Sequence, residues 1–249
     1  MHSSYEYSYT KNIVNYIKSH YHEAIVALYC TDKISLYYKQ FGKNNVDRLL
    51  SEVDYSFTYN KEDSFLYNME LMPPTFPYFN GFGFIENKSN MITSDLFFVG
   101  KSKGRHELLH RIYKKATELG YRCDFTILGV PEHDRLNGSS INYTNTLNYD
   151  EVIKRVKSTK CIVNLVQDGG AGLALRDYEA IYFDKYLLTN NEYVFETELF
   201  CEKNANQIIK LNYENIGDTL KRIDLPYTSI KGIESIYSWR TFLINLDTR

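Results

Sequence analysis

With 249 residues the chain can bury a sizeable core and can hold one large or two small domains. It is 43% apolar and 24% charged with a net charge of -2, an ordinary globular balance. That balance lacks the excess of Lys and Arg that phosphate-backbone recognition usually shows, so no nucleic-acid partner is expected. The N-terminus, MHSSYEYSYTKN, has no apolar signal region and no run approaches membrane-spanning length, so secretion is not expected. The sequons at Asn87, Asn137 and Asn142 then read as chance. Cys30, Cys123, Cys161 and Cys201 are scattered without a C-x-x-C pair and read as small core residues in a reducing compartment. The 23 tyrosines read as a compositional bias rather than an aromatic binding surface.

In chain order, residues 11–20 predict a short helix with Ile13, Val14 and Ile17 on one face, and Glu23–Cys30 a strand. Helices are predicted around Lys33–Gln40 and Asn45–Glu52, then a strand at Val53–Tyr59. Asn60-Lys61-Glu62-Asp63 reads as a helix start, because acidic residues in a first turn favour the positive end of the helix dipole. Pro73 and Pro74 make Met69–Phe76 an extended passage or an edge strand. Residues 77–94, rich in Gly, Asn and Ser, read as a linker between lobes.

A second lobe is predicted to open with strand Asp95–Val99, the turn Gly100–Arg105 and a helix to about Leu119. Leu108, Leu109, Ile112, Ala116 and Leu119 would form that helix's apolar face. Strand Cys123–Gly129, a polar loop with Pro131 and Gly138, an extended piece at Ile141–Thr144 and a helix from Tyr149 to Ser158 follow. An apolar run, Cys161–Val166, reads as a buried strand. It breaks at Asp168-Gly169-Gly170-Ala171-Gly172, ahead of a helical pattern carrying Leu173, Leu175, Ala180 and Ile181 and a short strand at Tyr186–Thr189. Gln207–Leu211 reads as a strand, Ile216–Ile223 as a helix and Ile233–Leu246 as a last helix.

Strand, glycine turn, helix and strand make a βαβ unit whose turn lies where α/β sheets present ligands. Backbone N–H groups at such a helix start suit a phosphate, and glycines let the backbone approach it. The simpler reading of any one glycine turn is a tight connection. The order Gly172-Leu173-x-x-Arg176-x-x-Glu179-Ala180 resembles the G-L-x-x-x-E-A segment of the sugar-nucleotide-binding domain of GT-B glycosyltransferases, with two extra residues before the glutamate. The longer phrase GLALRDYEAIYFDKYLLTNN is similar to bacterial enzymes that build lipopolysaccharide, O-antigen or capsule.

That resemblance implies an α/β protein of two Rossmann-like lobes. Residues 1–90 would be a reduced acceptor-side lobe lacking a first strand and its glycine loop. Residues 91–230 would form the nucleotide-sugar lobe, and 231–249 a helix crossing back to the first. It implies a nucleotide-sugar donor, a glycan or lipid-linked glycan acceptor, peripheral association with the inner face of the cytoplasmic membrane, and no cofactor beyond the donor. Glu179 would hold the ribose hydroxyls, Thr146 and Tyr149 would border the base, and Gly170, Gly172 and Leu173 would line the donor. The acidic residue that many such enzymes carry eight positions before the glutamate is here Ala171, or Gly169 allowing for the insertion. Gln167 or Asp168 would then contact the sugar.

Three chemical readings compete. Gly100, Lys101, Gly104 and Arg105 stand at a strand-to-helix junction and can hold a diphosphate, the planar arginine fork gripping two oxygens, although the spacing is not a Walker A loop. A solvated basic turn is the bland alternative; FVGKSKGR resembles the phosphate-side turn of the same transferases. Glu179 can be a ribose ligand or an exposed helix glutamate, and Arg176 can reach the diphosphate or pair with Asp177 or Glu179 on the surface. Finally, His106-Glu107-x-x-His110 matches a zinc-protease helix. No third ligand follows at a recognised spacing, and His106 can instead donate to a diphosphate. With no D-x-D pattern, the chemistry expected is metal-independent, with Lys101, Arg105 and Arg176 neutralising the leaving diphosphate. A non-catalytic nucleotide-sugar-binding module is the rival.

Overall fold

The structure, a computed structural model, describes residues 3–72, 92–144, 146–166, 172–197, 200 and 205–229, with side chains from Thr10 onward. The chain divides into two compact units, one within Met1–Pro74 plus Ala171–Leu173 and the other within Thr75–Gly170 and Ala174–Arg249. The linker expected at 77–94 and the helix expected at Ile233–Leu246 fall largely or wholly outside the described residues.

The first unit holds α1 (Ser3–His20), β1 (Ala27–Cys30), α2 (Ile34–Phe41), α3 (Lys43–Glu52), β2 (Tyr55–Thr58), α4 (Lys61–Leu66) and β3 (Glu70–Leu71). Its strands are parallel in the order β1-β2-β3, so the stretch before Pro73 is indeed an edge strand. Cys30, Ile34, Val46 and Met69 form its core, packed by Leu28, Tyr38, Leu50 and Tyr67. The predicted start at Asn60 is realised as a cap, with Asn60 Oδ1 accepting from Asp63 N at 3.0 Å. Asp63 in turn accepts from Ile34 N at 2.9 Å, tying the start of α2 to α4.

The second unit holds β4 (Ser94–Lys101), α5 (His106–Glu118), β5 (Cys123–Leu128), β6 (Asn142–Thr144), α6 (Tyr149–Lys157), β7 (Thr159–Asn164), α7 (Leu175–Tyr182), β8 (Tyr186–Thr189), β9 (Ile208–Lys210) and α8 (Ile216–Lys221). Its six strands are parallel in the order β6-β5-β4-β7-β8-β9. Renumbered within the unit this is 3-2-1-4-5-6, the Rossmann order, whose switch point lies between β4 and β7. Both faces are covered by helices, so the strands are near-continuous apolar runs; β8 is buried at every position. The core joins Leu96, Phe98, Phe125, Ile127, Val163 and Leu188 to the stripe Leu109, Ile112, Tyr113 and Ala116 of α5. Leu119, expected in that stripe, is exposed because α5 ends at Glu118, and Tyr113 takes the buried place instead.

Cys30 and Cys161 are buried and Cys123 is partly buried, all free, and burial pushes their thiols up to about 12. Cys201 lies outside the described residues.

Gly172 belongs to the first unit by contact and forms an isolated antiparallel bridge with Asn60. Its φ is +150°, and a Cβ built there would stand 2.5 Å from the Tyr59 carbonyl oxygen. No rotamer relieves a clash with backbone. Gly172→Ala is therefore expected to cost about 1–3 kcal/mol. Denaturant midpoints check this against Gly104→Ala, where φ is +81° but a Cβ meets nothing within 4 Å, and which should lose less.

Candidate functional site in the Rossmann-ordered unit

The switch point is organised by the exit of β7. The strand was expected to run to Val166, yet its ladder stops at Asn164. Side chains take over the pairing from there. Arg105 donates through Nη1 to Leu165 O, and Asn190 Oδ1 accepts from Val166 N at 2.7 Å. Asn164 Nδ2 donates to Asp177 Oδ1 at 2.6 Å. Three elements thus converge on residues 164–166, at the carboxyl end of the sheet.

Arg105 directly precedes α5 and is held by the turn it belongs to: Nε donates to Ser102 O at 3.1 Å and Nη2 to Lys101 O at 2.7 Å. Burial lowers its pKa, the desolvation cost of a cation facing carbonyl dipoles. This turn was read as a diphosphate cradle or a solvated basic turn. Arg105 is half-buried and ties β4 to β7, while Lys101 is exposed. Gly100 lies inside β4 rather than in the turn, which bends at Lys103 (φ 44°) and Gly104 (φ 81°).

The second cluster centres on Glu179, and the exposed-glutamate reading is corrected here. Glu179 is 0% exposed. Arg176, one turn earlier on α7, forms an ion pair with its Oε2, and Tyr149 at the start of α6 donates to Oε1 at 2.8 Å. The pairing with Arg176 occurs, but inside the protein rather than on its surface. Burial raises the Glu179 pKa, and Arg176 and Tyr149 oppose that rise. Because the folded-state pKa lies above the unfolded one, ionising Glu179 costs folding free energy as pH rises through it, and its two partners offset that cost.

Leu173 is buried and Thr146 is exposed. Gly170 lies outside the described residues. Thr146 accepts through its carbonyl from Thr144 Oγ1 at 3.2 Å, closing the loop that leads to Tyr149. Sequence reasoning missed Asp177, Asn164, Asn190 and Asn191. The available clue was Asp177 at the third position of a helix lacking an N-cap oxygen, where a carboxylate can reach back to a free N–H.

The H-E-x-x-H helix is accounted for differently. Tyr143 hydroxyl accepts from Leu136 N at 2.9 Å and is hydrogen-bonded to His110 Nε2, 2.9 Å away. Burial, with His106 and Lys114 nearby, lowers the His110 pKa and favours the neutral ring. Among the described residues no three His, Cys, Asp or Glu side chains gather to hold a metal ion, so a zinc helix finds no third ligand among them.

Together these features give an α/β fold with parallel sheets that matches GT-B glycosyltransferases among solved structures, and a Rossmann-ordered sheet presents ligands at the carboxyl ends of its strands. Among solved structures the chain is similar to an alpha-glucosyltransferase in complex with UDP-glucose and DNA containing an abasic site, with TM-score 0.61 and 12% identity, over 86% of this chain and 66% of that one. It is similar to an alpha-glucosyltransferase with UDP and a 13-mer DNA containing an HMU base, with TM-score 0.60, 12% identity and the same coverages. AviGT4, a glycosyltransferase of avilamycin A biosynthesis, aligns at TM-score 0.53 and 12% identity over 84% of this chain and 77% of its own. The chain spans about two thirds of the length of those alpha-glucosyltransferases. No protein-family description and no curated protein sequence matches it.

The DNA in those complexes overturns the exclusion of a nucleic-acid partner drawn from a net charge of -2. Chain-wide charge sums over all surfaces, whereas phosphate recognition depends on charge at one face.

Arg176→Ala would leave Glu179 buried without its cation, a change expected to cost about 3–5 kcal/mol near neutral pH. The deficit should narrow as pH falls and Glu179 protonates. Tyr149→Phe should cost about 1.5–3 kcal/mol. Urea unfolding at two pH values reads both.

Proposed function

We propose that this protein transfers a glycosyl group from a nucleoside-diphosphate sugar to a hydroxyl acceptor. The observation that carries the reading is Glu179, a fully buried carboxylate on the helix after β7, on the strand-exit side of a Rossmann-ordered sheet. A carboxylate offers about four lone-pair sites. Arg176 and Tyr149 take one on each oxygen, leaving acceptors for the vicinal hydroxyls of a ribose.

Departure of the nucleoside diphosphate builds negative charge. Lys101 and Arg176, with the N–H groups of Arg105 not given to carbonyls, are the cations assigned to it. This makes the transfer independent of a divalent ion. Gly104 gives the backbone room at the turn before α5.

The acceptor assigned by resemblance is a growing surface glycan. The DNA held by the alpha-glucosyltransferases favours a second reading, a hydroxyl on nucleic acid. Among the described residues no helix is long and apolar enough to cross a membrane, so contact with a lipid-linked acceptor would be peripheral.

UDP, ADP and GDP are the probes. One of them at about a hundred times its Kd should stabilise the protein by about 2.7 kcal/mol, a shift of about 5–10 °C in melting temperature. Release of that nucleotide from its glucose or N-acetylglucosamine conjugate is then measured with lipid-linked glycan and with hydroxymethylated duplex DNA, with and without EDTA. Stabilisation without turnover would leave a binding module. No stabilisation by any nucleotide would overturn the donor site.

A further inference from the structure

The mechanism above uses Glu179 and leaves unexplained a second buried carboxylate two residues before it. Asp177 is 0% exposed and, among the described residues, has no cation as a partner. Its Oδ2 accepts from Ala174 N at 2.7 Å, closing the first turn of α7, and its Oδ1 accepts from Asn164 Nδ2 at 2.6 Å, at the end of β7. A third bond comes from the side chain of Asn191, just beyond β8, whose Oδ1 already accepts from Tyr193 N at 3.2 Å. Two strand exits and a helix start therefore meet on one carboxylate. Residues two apart on a helix point about 200° from one another, so Asp177 does not share the face of Glu179 and acts on a ligand only through the helix both belong to.

We infer that Asp177 is a positioning residue: its ionised carboxylate, held by Asn164, Asn191 and the Ala174 N–H, fixes the start of α7 and thereby aims Arg176 and Glu179 with Tyr149 at the nucleotide. The ligand side rests on the function proposed above; the structural side does not.

The ionised form gives every one of these donors a lone pair. Protonation takes up the remaining lone pair and removes the charge that strengthens all three bonds, so the hold on the start of α7 weakens. The groups facing Asp177 are the neutral amides of Asn164 and Asn191, the main chain of Ala174, and Glu179, whose negative charge is held by Arg176. Desolvation, first among the causes, lifts the Asp177 pKa to about 6. The two consequences have opposite signs. A raised carboxylate pKa means that folding itself is favoured as pH falls through that value. Aim at the nucleotide is lost over the same window. A purely structural carboxylate would show only the first effect.

The experiment measures UDP affinity by calorimetry from about pH 5 to about pH 8, with melting temperatures alongside, for the wild type and Asp177→Asn. The inference expects wild-type affinity to fall by up to about tenfold per pH unit below about pH 6, without a matching fall in melting temperature. Asp177→Asn, which cannot ionise, should bind at least about tenfold more weakly at pH 7.5, and because UDP and Glu179 titrate in both proteins, the reading is the ratio of the two affinities, which should shrink below about pH 6. Equal affinities at pH 7.5, or a ratio unchanged across the range, would overturn it. Hydrogen exchange on the ligand-free proteins separates this outcome from failure of the transferase reading. If UDP binds neither protein, the donor site is wrong. Faster exchange across Leu175–Tyr182 in Asp177→Asn, with β4 and β5 unchanged, still supports the hold of Asp177 on α7, and equal exchange sinks it.

Discussion

The hand-over of β7 from strand pairing to side-chain pairing is the constraint on which the second unit depends. At a switch point the neighbouring connections run to opposite sides of the sheet, so the backbone leaving the strand loses its ladder partners while still buried. An unpaired buried amide or carbonyl costs as much as a lost hydrogen bond. The chain meets this with Arg105 on Leu165 O and Asn190 on Val166 N, while Asp177 holds the side-chain amide of Asn164. Arg105 stands at the start of α5, Asp177 at the start of α7 and Asn190 at the exit of β8. The geometry of this strand exit is therefore set by side chains reaching across, rather than by the turns alone.

Burying charge in this way is a poor route to stability. A buried ion pair often does no better than an apolar replacement, although removing one partner is costly. Glu179 and Asp177 solve the same desolvation problem differently: Glu179 has a guanidinium and a phenol, whereas Asp177 has two amides and a main-chain N–H. With no cation beside it, Asp177 is the one whose carboxyl rises to about 6. Neighbouring carboxylates in unlike surroundings are the usual sign of separate tasks at a functional site.

The first unit is smaller but follows the same rule of buried acidic caps. Asp63, 5% exposed, serves Ile34 N of α2 while its own N–H is capped by Asn60, and burial raises its pKa. Three parallel strands with these caps and a core around Ile34 and Met69 make a small parallel α/β unit among the described residues.

The amino-acid sequence by itself determined the alternation of strands and helices, the edge position before Pro73 and the apolar stripe of α5, because hydrophobic periodicity and proline act locally. It located strand Tyr186–Thr189 to the residue and marked Glu179 and Arg176 through a motif. It could not decide that Glu179 is buried, that Arg105 faces carbonyls of Leu165 and Lys101, or that Asp177 gathers Asn164 and Asn191. Those partners lie 60, 13 and 14 positions away or sit on separate elements, and no local pattern records which strand exits become neighbours. Only the 3-2-1-4-5-6 order of the sheet brings them together.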